Sequence, residues 1–361
     1  MATNIASTTR FPVLEVAGRP REMGLQTGEA MRSEIRELVD LVLARFNKGR
    51  ETPISLEHAQ GIVEGTIPLA REYAPDSMEE LEGIAKAAGV PVGSILLLNA
   101  RNMLAASADG CTSVMVGSAA SADGVGIAGQ NWDNDPAMDP FSVVLIRRSS
   151  GKPSLMNWTQ PGIIGYMGFN SEGIGVCMNA LNGPMRRDGV PWYFIVREIY
   201  GQSSLDGATA AVKQARRAIA ANAAMITPQG AADIEVTPDE VRVLMADESG
   251  LLVHTNHCVH PDLVNNNSMY ADRIYGQSMP RKAWAEALLD TFNGKATLDK
   301  VKEILSDHEG YPTSICRHPN DDPATGWQRS VISMIVEPSE GRMNVTRGNP
   351  CERPYEVYTL N

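Results

Sequence analysis

The chain changes character at Asp109-Gly110-Cys111-Thr112-Ser113-Val114-Met115-Val116. Helical periodicity precedes this stretch, whereas residues 112–116 have high β propensity. Asp123-Gly124 is a hairpin signal, and residues 125–131 form the expected partner strand. Antiparallel pairing would bring residues 129–133, which read GQNWD, back beside Cys111. A thiol, two amides and a carboxylate are therefore expected to lie together. The residue types alone leave open both a catalytic Cys111 and an ordinary buried cysteine.

The first 110 residues are predicted to be mainly helical. Apolar residues recur there with helical spacing, after one short strand at 11–16. Helices are expected at 21–46 and 55–73. Capping signals predict two further helices: one has a capping box of Ser77 and Glu80 and stops at Gly89, and the other is capped by Ser94.

The remainder of the chain alternates between strand and helix patterns. Strands are predicted at 141–147, 154–158, 173–179, 235–245, 251–255 and within 331–358. Helices are predicted at 192–200, 208–220, 273–292 and 298–306. No repeat or long linker interrupts this order. Long runs of strands with helices between them indicate an α+β fold in which helices cover sheets.

The composition excludes several classes of protein. The 361 residues carry a formal net charge of -11, which disfavours a nucleic-acid partner because phosphate binding needs a clustered basic surface. Five scattered cysteines form no disulfide framework and fit a reducing compartment. No secretory signal pattern, apolar run of about 18 residues or peroxisomal tripeptide is recognisable. We therefore expect a cytoplasmic protein that does not bind membranes.

A metal-binding interpretation has to be weighed for the segment 254–260. It reads HTNHCVH, and Cys316 and His318 follow later in the chain. Strand alternation would send His254, Cys258 and His260 to one face and His257 to the other. Paired Cys-x-x-Cys spacing is absent. We therefore predict no metal site and no cofactor.

Five motifs occur in the order found in one enzyme family. They are DGCTS at 109–113, GQNWD at 129–133, GIIG to NAL across 162–181, VHTNHC at 253–258 and YPTSICR at 311–317. Together they resemble the acyl-coenzyme A:6-aminopenicillanic acid acyltransferase (isopenicillin N acyltransferase) family over nearly the whole chain. The resemblance implies an N-terminal-nucleophile hydrolase with an αββα sandwich, as in choloylglycine hydrolases and penicillin V acylases.

The same resemblance implies that the precursor cleaves itself between Gly110 and Cys111. A helical α chain, residues 1–110, and a β chain, residues 111–361, would then remain associated as one structural unit. Gly110 has no Cβ, so its carbonyl is open to attack by the Cys111 thiol. Cleavage would free an α-amine with a pKa of about 7.7–8.0, a usable general base at neutral pH.

The resemblance assigns supporting roles to five further residues. Asp133 would orient the new α-amine, and Arg317 would supply a fixed positive charge. Asn256 would donate to the oxyanion, and Asn179 is a second contributor. Gln130 would help to form the substrate pocket.

The function expected from this resemblance is amide hydrolysis of a small N-acyl compound through an acyl-Cys111 thioester. Acyl transfer from an acyl-coenzyme A or amide donor to an amine is the close alternative, because only the acceptor differs. A third alternative is an inactive binding protein on the same scaffold. The acyl group, the amine and the formation of a homo-oligomer are left open.

Overall fold

Helices dominate the first hundred residues, and strands alternate with helices afterwards. The structure, a computed structural model, describes residues 8–48, 50–104, 110–271, 275–292, 295–323 and 325–360. Its strands are β1 (Val13–Gly18), β2 (Gly110–Val116), β3 (Ile127–Asn134), β4 (Val143–Ser149), β5 (Leu155–Thr159), β6 (Gly168–Asn170), β7 (Gly175–Cys177), β8 (Ala221–Thr227), β9 (Gly230–Val236), β10 (Val241–Met245), β11 (Leu251–His254), β12 (Arg329–Glu337), β13 (Arg342–Arg347) and β14 (Glu356–Thr359). Its helices are α1 (Pro20–Ala30), α2 (Arg32–Asn47), α3 (Leu56–Glu64), α4 (Ile67–Tyr73), α5 (Pro75–Ala88), α6 (Val92–Ala100), α7 (Trp192–Ile199), α8 (Leu205–Gln214), α9 (Asn265–Met269), α10 (Tyr275–Asp290) and α11 (Leu298–Leu305).

The strands form two sheets within the described residues. One has eight strands in the order β1-β4-β5-β6-β7-β8-β9-β10, and the other has six in the order β11-β2-β3-β12-β13-β14. All neighbours are antiparallel except β1 and β4, which run parallel. The strand β1 precedes Gly110 in sequence, yet it forms an edge of the sheet built by later residues.

The six-stranded sheet has helices on one face and the other sheet on its opposite face. Val114 and Val116 of β2 pack in a cluster with Leu289 of α10 and Val301 of α11. Met115, which points the other way, belongs to the core between the sheets. Alternate side chains of β2 therefore belong to two different apolar layers, one on each face of the sheet.

Helices also cover the outer face of the eight-stranded sheet. Leu145 of β4 packs with Met23 of α1, and Arg147 of the same strand face pairs with Glu80 of α5. The order of layers is helix, sheet, sheet, helix, so the predicted α+β sandwich is confirmed. No helix in the described part of the chain has the length and apolarity needed to cross a bilayer.

The predicted capping box of Ser77 and Glu80 is wrong. Both residues lie inside α5, which begins at Pro75 because proline is well tolerated in the first turn. Glu80 is buried and accepts hydrogen bonds from Arg147 Nε at 2.7 Å and Arg197 Nη2 at 3.0 Å. Its carboxylate therefore joins α5 to β4 and α7 rather than closing a helix end.

Other helix boundaries differ from the prediction in smaller ways. The predicted helix 21–46 is divided at Met31 into α1 and α2, and 55–73 is divided into α3 and α4. Gly89 ends α5 with a left-handed φ of +67°, as expected. Ser94 does not cap α6, which begins at Val92; its Oγ accepts from Gln60 Nε2.

The strand predictions are wrong in two ways. One predicted strand is divided by a turn, and strands with an atypical composition or a short length were missed. The segment 235–245 is not one strand, because the chain turns back at 237–240 between β9 and β10. The strand β8 was missed because its sequence, ANAAMIT, is rich in alanine, which is depleted in strands. The short β6 was also missed. In the predicted helix 273–292, Arg273 and Ile274 lie outside the described residues.

Candidate active site

Cys111 lies near the start of β2, facing the space between the two sheets. Pairing in the β2–β3 hairpin places Cys111 opposite Trp132 and Gly110 opposite Asp133. The sequence prediction that residues 129–133 return beside the cysteine is therefore confirmed. Asp109, the first residue of the predicted motif, lies outside the described residues.

Cys111 lines a cleft that opens to solvent and has about 710 Å³ of empty space when its open mouth is included. Aromatic and apolar side chains form much of the lining, and asparagine side chains supply polar groups. The residues on this lining include Asn102, Trp132, Tyr166, Asn179, Trp192 and Tyr193. A small molecule with an apolar part and an amide would fit these surroundings chemically.

The peptide nitrogen of Cys111 is held by Asn256. Cys111 N donates to Asn256 Oδ1 at 2.9 Å, and Arg281 Nη2 donates to the same oxygen at 2.8 Å. Because these two donors fix Oδ1, the Nδ2 group of Asn256 faces away and donates to Ala180 O at 3.2 Å. Ala180 lines the cleft. The side chain of Asn256 thus connects the Gly110–Cys111 peptide to the cleft wall.

Arg281 is a site residue that sequence reasoning missed. It is buried in α10, and its Nη1 donates to Cys111 O at 2.6 Å and to Thr112 Oγ1 at 2.8 Å. Burial lowers its pKa to about 10, an effect deepened by Arg317 and opposed by Asp133 and Cys111. The signal in the sequence was an arginine within the apolar stripe of a predicted helix.

The same helix supplies two further contacts to the site. Ser278 Oγ accepts from Asn256 N at 2.7 Å, and Gln277 Oε1 accepts from Arg317 Nη2 at 2.7 Å. Position 281 is on the same side of α10 as positions 277 and 278, because it follows them by four and three residues. The helix α10 therefore orients both the asparagine and the arginine predicted from sequence.

Asp133 packs directly against Gly110. A Cβ on Gly110 would lie 3.0 Å from Asp133 Oδ2, so a larger residue would press on the carboxylate. Asp133 Oδ1 accepts from Ser330 Oγ at 2.7 Å, and its Oδ2 lies 3.8 Å from Arg317 Nε. Gln328 Oε1 accepts a further bond from Arg317 Nη1 at 2.6 Å. The structure thus brings Asp133 and Arg317 together beside the predicted cleavage site.

Asn179 lines the cleft, and its side-chain Nδ2 donor makes no hydrogen bond to the described residues. Its Oδ1 accepts from Ser113 Oγ at 3.0 Å and from Asn222 Nδ2 at 3.3 Å, and its backbone N donates to Asn222 Oδ1. Its Nδ2 is buried without a hydrogen-bond acceptor among the described residues. A buried amide donor without a partner is unfavourable unless a ligand provides one.

A buried cluster of charged residues supports Asn179 through Asn222. His254 Nε2 lies 2.8 Å from Glu235 Oε1 and 3.4 Å from Asp233 Oδ2, and its Nδ1 lies 2.7 Å from Thr255 O. Both ring nitrogens face acceptors, which favours the charged imidazolium. Burial lowers the pKa of His254, but Asp233 and Glu235 outweigh it and leave that pKa raised. Asn222, which holds Asn179, also donates to Asp233 at 3.0 Å.

Gln130 occupies a supporting position instead of facing the cleft. Its Nε2 donates to Met178 O at 2.6 Å, and its Oε1 accepts from Met178 N at 2.7 Å. Both ends of the amide are therefore used by the backbone next to Asn179. Its side chain is buried and is not part of the cleft lining described above.

The histidines and cysteine of segment 254–260 do not form one metal-binding group with Cys316 and His318. His254 pairs with carboxylates, and Cys258 packs with Leu181 and Leu263 in a small apolar cluster. Cys316 and His318 lie elsewhere, next to each other.

Comparison with known proteins yields one family and several relatives. The model of the family described as acyl-coenzyme A:6-aminopenicillanic acid acyl-transferase matches residues 120–352. The 40 kDa form of acyl-coenzyme A:6-aminopenicillanic-acid-acyltransferase from Emericella nidulans is 30% identical over 350 residues, covering 95% of this chain and 94% of that protein. Protein dcd1A of Dictyostelium discoideum is 24% identical over 218 residues, covering 52% of this chain and 49% of that protein.

Two solved structures are similar to parts of this chain. A variant of conjugated bile acid hydrolase from Clostridium perfringens is 13% identical, with a TM-score of 0.45, and covers 70% of this chain and 97% of that one. Penicillin V acylase from Agrobacterium tumefaciens is 9% identical, with a TM-score of 0.42, and covers 65% of this chain and 82% of that one.

Proposed function

This chain belongs to the acyl-coenzyme A:6-aminopenicillanic acid acyl-transferase family, and on that premise we propose that it is a self-processing enzyme that takes an acyl group from a small N-acyl compound onto Cys111. Enzymes of this N-terminal-nucleophile type act on amide bonds. One observation carries the proposal. Cys111 lines the open cleft while its own peptide nitrogen is bound by Asn256, which supports the use of this one residue in both self-cleavage and turnover.

Self-cleavage would begin with attack of Cys111 Sγ on the carbonyl carbon of Gly110. The acyl group moves from nitrogen to sulfur, the nitrogen takes up a proton, and water then hydrolyses the thioester to a Gly110 carboxylate and a free thiol. Asn256 Oδ1 already accepts from this nitrogen at 2.9 Å and can go on accepting from the amine that results. Asp133, packed against Gly110, would orient that amine and balance its charge.

Turnover would use the same thiol, with the α-amine as general base. Two amides are suited to the oxyanion that forms when Cys111 attacks the substrate carbonyl. The Nδ2 of Asn179 has no competing acceptor among the described residues, and the Nδ2 of Asn256 makes only a 3.2 Å bond to Ala180 O. One such donor contributes about 2.7–4 kcal/mol to transition-state stabilisation. Gln130 would act indirectly, through the backbone beside Asn179.

Water or an amine could accept the acyl group from Cys111. We propose hydrolysis as the main reaction, because the cleft is open to solvent and transfer requires exclusion of water. Acyl transfer is the second candidate, and the relative from Emericella nidulans, whose name is that of an acyltransferase, favours it. An assay of N-acyl amino acids, β-lactams, acyl amines and acyl-homoserine lactones, each with and without an acceptor amine, separates the two. Acyl-amine product formed faster than free acid would overturn hydrolysis.

Processing is the first experiment because it needs no substrate. Scaling 39.0 kDa by 110 and 251 of 361 residues gives pieces of about 12 and 27 kDa, the larger beginning Cys-Thr-Ser-Val. Cys111→Ala should leave one uncleaved chain with no turnover, since it removes the attacking sulfur from both reactions. Cys258→Ala, a buried cysteine outside the site, is the matched control and should process normally. Turnover by a chain still joined at residues 110 and 111 would refute the mechanism, and an inactive uncleaved wild type would favour a binding protein.

The two pieces should remain together after cleavage. The strand β1 pairs with β4, Glu80 with Arg147, and Asn99 Nδ2 donates to Gly162 O at 2.8 Å, all across the predicted cleavage point. We therefore propose a stable heterodimer, which size-exclusion chromatography of the processed protein would show as one peak. All five cysteines are free, which supports a reducing location such as the cytoplasm.

A further inference from the structure

A cluster of two histidines and two cysteines lies outside the proposed active site. His308 follows α11, Cys316 and His318 lie in the segment before β12, and Cys351 lies in the turn between β13 and β14. Their ligand atoms, Nε2 of each histidine and Sγ of each cysteine, lie within 4.8 Å of one another. Three separate segments of the chain therefore converge on one point.

Four of the six distances between these atoms are close to those of a tetrahedral zinc site. Zinc bonds of about 2.3 Å to sulfur and 2.0–2.1 Å to nitrogen place two sulfurs about 3.8 Å apart, sulfur and nitrogen about 3.6 Å apart, and two nitrogens about 3.4 Å apart. The Sγ atoms of Cys316 and Cys351 are 3.6 Å apart. His318 Nε2 lies 3.7 Å and 3.3 Å from these two sulfurs and 3.0 Å from His308 Nε2.

Neighbouring groups are placed as supports for such a site. Asn349 Nδ2 donates to Cys316 Sγ at 3.4 Å, a contact that favours a thiolate. Glu352 Oε1 lies 3.7 Å from His318 Nδ1, on the side of the ring opposite the cluster. Outer carboxylates commonly orient a ligating histidine in this way.

We propose that His308, Cys316, His318 and Cys351 bind one zinc ion. Two thiolates and two imidazoles form a donor set that suits Zn²⁺, and both thiols would release their protons when the ion binds. Four protein ligands complete the tetrahedron, so the ion has a structural role and no open position for substrate. The pattern escaped sequence reasoning because its ligands are not arranged in Cys-x-x-Cys pairs.

The site would also position Arg317, which lies between two of the ligands. Asn349 donates to the backbone oxygen of Arg317 at 2.6 Å and to Cys316 Sγ, so the same asparagine links the arginine to the cluster. Zinc would tie this segment to the turn containing Cys351. The arginine would then be held 3.8 Å from Asp133 with less freedom to move. Only this consequence rests on the proposed function, since metal content is measured without catalysis.

Zinc content of the full chain tests the site. The reduced wild-type protein, stripped with a chelator and given zinc sulfate, should retain about one zinc per chain after gel filtration, as measured by inductively coupled plasma mass spectrometry. Cobalt(II) in its place should give the strong visible absorption of a tetrahedral site with thiolate ligands. Cys351→Ser and His308→Gln should each reduce retained zinc to background. His58→Gln, an exposed histidine elsewhere, is the control and should retain it.

Three results would overturn the proposal. They are wild-type protein that retains no zinc, variants that retain as much as wild type, and a disulfide between Cys316 and Cys351 in freshly purified protein. The disulfide would require the sulfurs to close from 3.6 Å to about 2.05 Å. If either variant fails to fold by circular dichroism, the zinc content and cobalt spectrum of the wild type still decide the matter. Wild-type protein that retains one zinc per chain but turns over none of the N-acyl compounds would count against the proposed function and not against the zinc site.

Discussion

Replacing Asn179 with alanine removes the amide donor that the structure leaves uncommitted. Its Nδ2 has no acceptor among the described residues, so the only ground-state hydrogen bonds of the side chain that are lost are those its Oδ1 accepts from Ser113 and Asn222. The whole bond is available to the oxyanion, and its removal should raise the barrier by about 2.7–4 kcal/mol, a loss of about 10²–10³ in kcat. KM should change little, because the interaction forms mainly in the transition state.

Ser113→Ala is a milder variant that tests the same amide donor of Asn179. It removes one of two hydrogen bonds that orient the Oδ1 of Asn179 while leaving the donor in place. A neutral hydrogen bond contributes about 1 kcal/mol, so kcat should fall by about fivefold. The assay is steady-state release of the amine from whichever N-acyl compound the wild type turns over, with processing followed separately by gel. An Asn179→Ala enzyme that is fully processed and within about threefold of wild-type kcat would refute this use of the donor.

Three further predictions concern the supporting structure. Glu80→Gln leaves the buried Arg147 and the partly buried Arg197 without their carboxylate and should lower the free energy of unfolding in urea by about 3–5 kcal/mol, whereas Glu79→Gln, exposed on the same helix, should change it little. Arg281→Lys keeps the charge, but its single nitrogen cannot reach all three acceptors that the two guanidinium nitrogens bind, so self-cleavage in a gel time course should slow by at least about tenfold; wild-type speed would contradict this role. Burial lowers the pKa of His257 to about 4, so the stability this ring contributes is complete above about pH 6.5 and is lost as the pH falls towards 4. His257→Asn should therefore show a smaller decrease of Tm across that range, and an unchanged decrease would contradict the assignment.

Local pattern was sufficient to place the cysteine and its nearest carboxylate. The turn signal at Asp123-Gly124 and the strands on either side predict an antiparallel pair, and the register then puts Gly110 opposite Asp133. The connection is longer than a two-residue turn, since a short 3₁₀ helix at Ser118–Ala120 precedes it, but the pairing is unchanged. The roles of the more distant asparagines and Arg317 came only from resemblance and stay predictions.

The sequence pattern gave a wrong prediction where two different local structures are compatible with the same motif. Ser77 and Glu80 have capping-box spacing, but Pro75 can begin the helix two residues earlier. Once inside α5, Glu80 finds Arg147 on a strand 67 residues away. A capping bond and a buried ion pair use the same carboxylate, and only the positions of the arginines decide between them.

The sequence by itself determined the alternation of helices and strands, the layered class of fold and the pairing that brings residues 129–133 beside Cys111, because periodicity and turn residues act over a few neighbours. The tertiary structure alone placed Arg281 on the Cys111 carbonyl, 170 residues away, and gathered His308, Cys316, His318 and Cys351 at one point. Such contacts depend on how α10 lies over the six-stranded sheet and how the turn after β13 meets the segment before β12. That placement is set by packing of the whole core, in which each apolar contact is weak and nonspecific. No short stretch of sequence therefore encodes it.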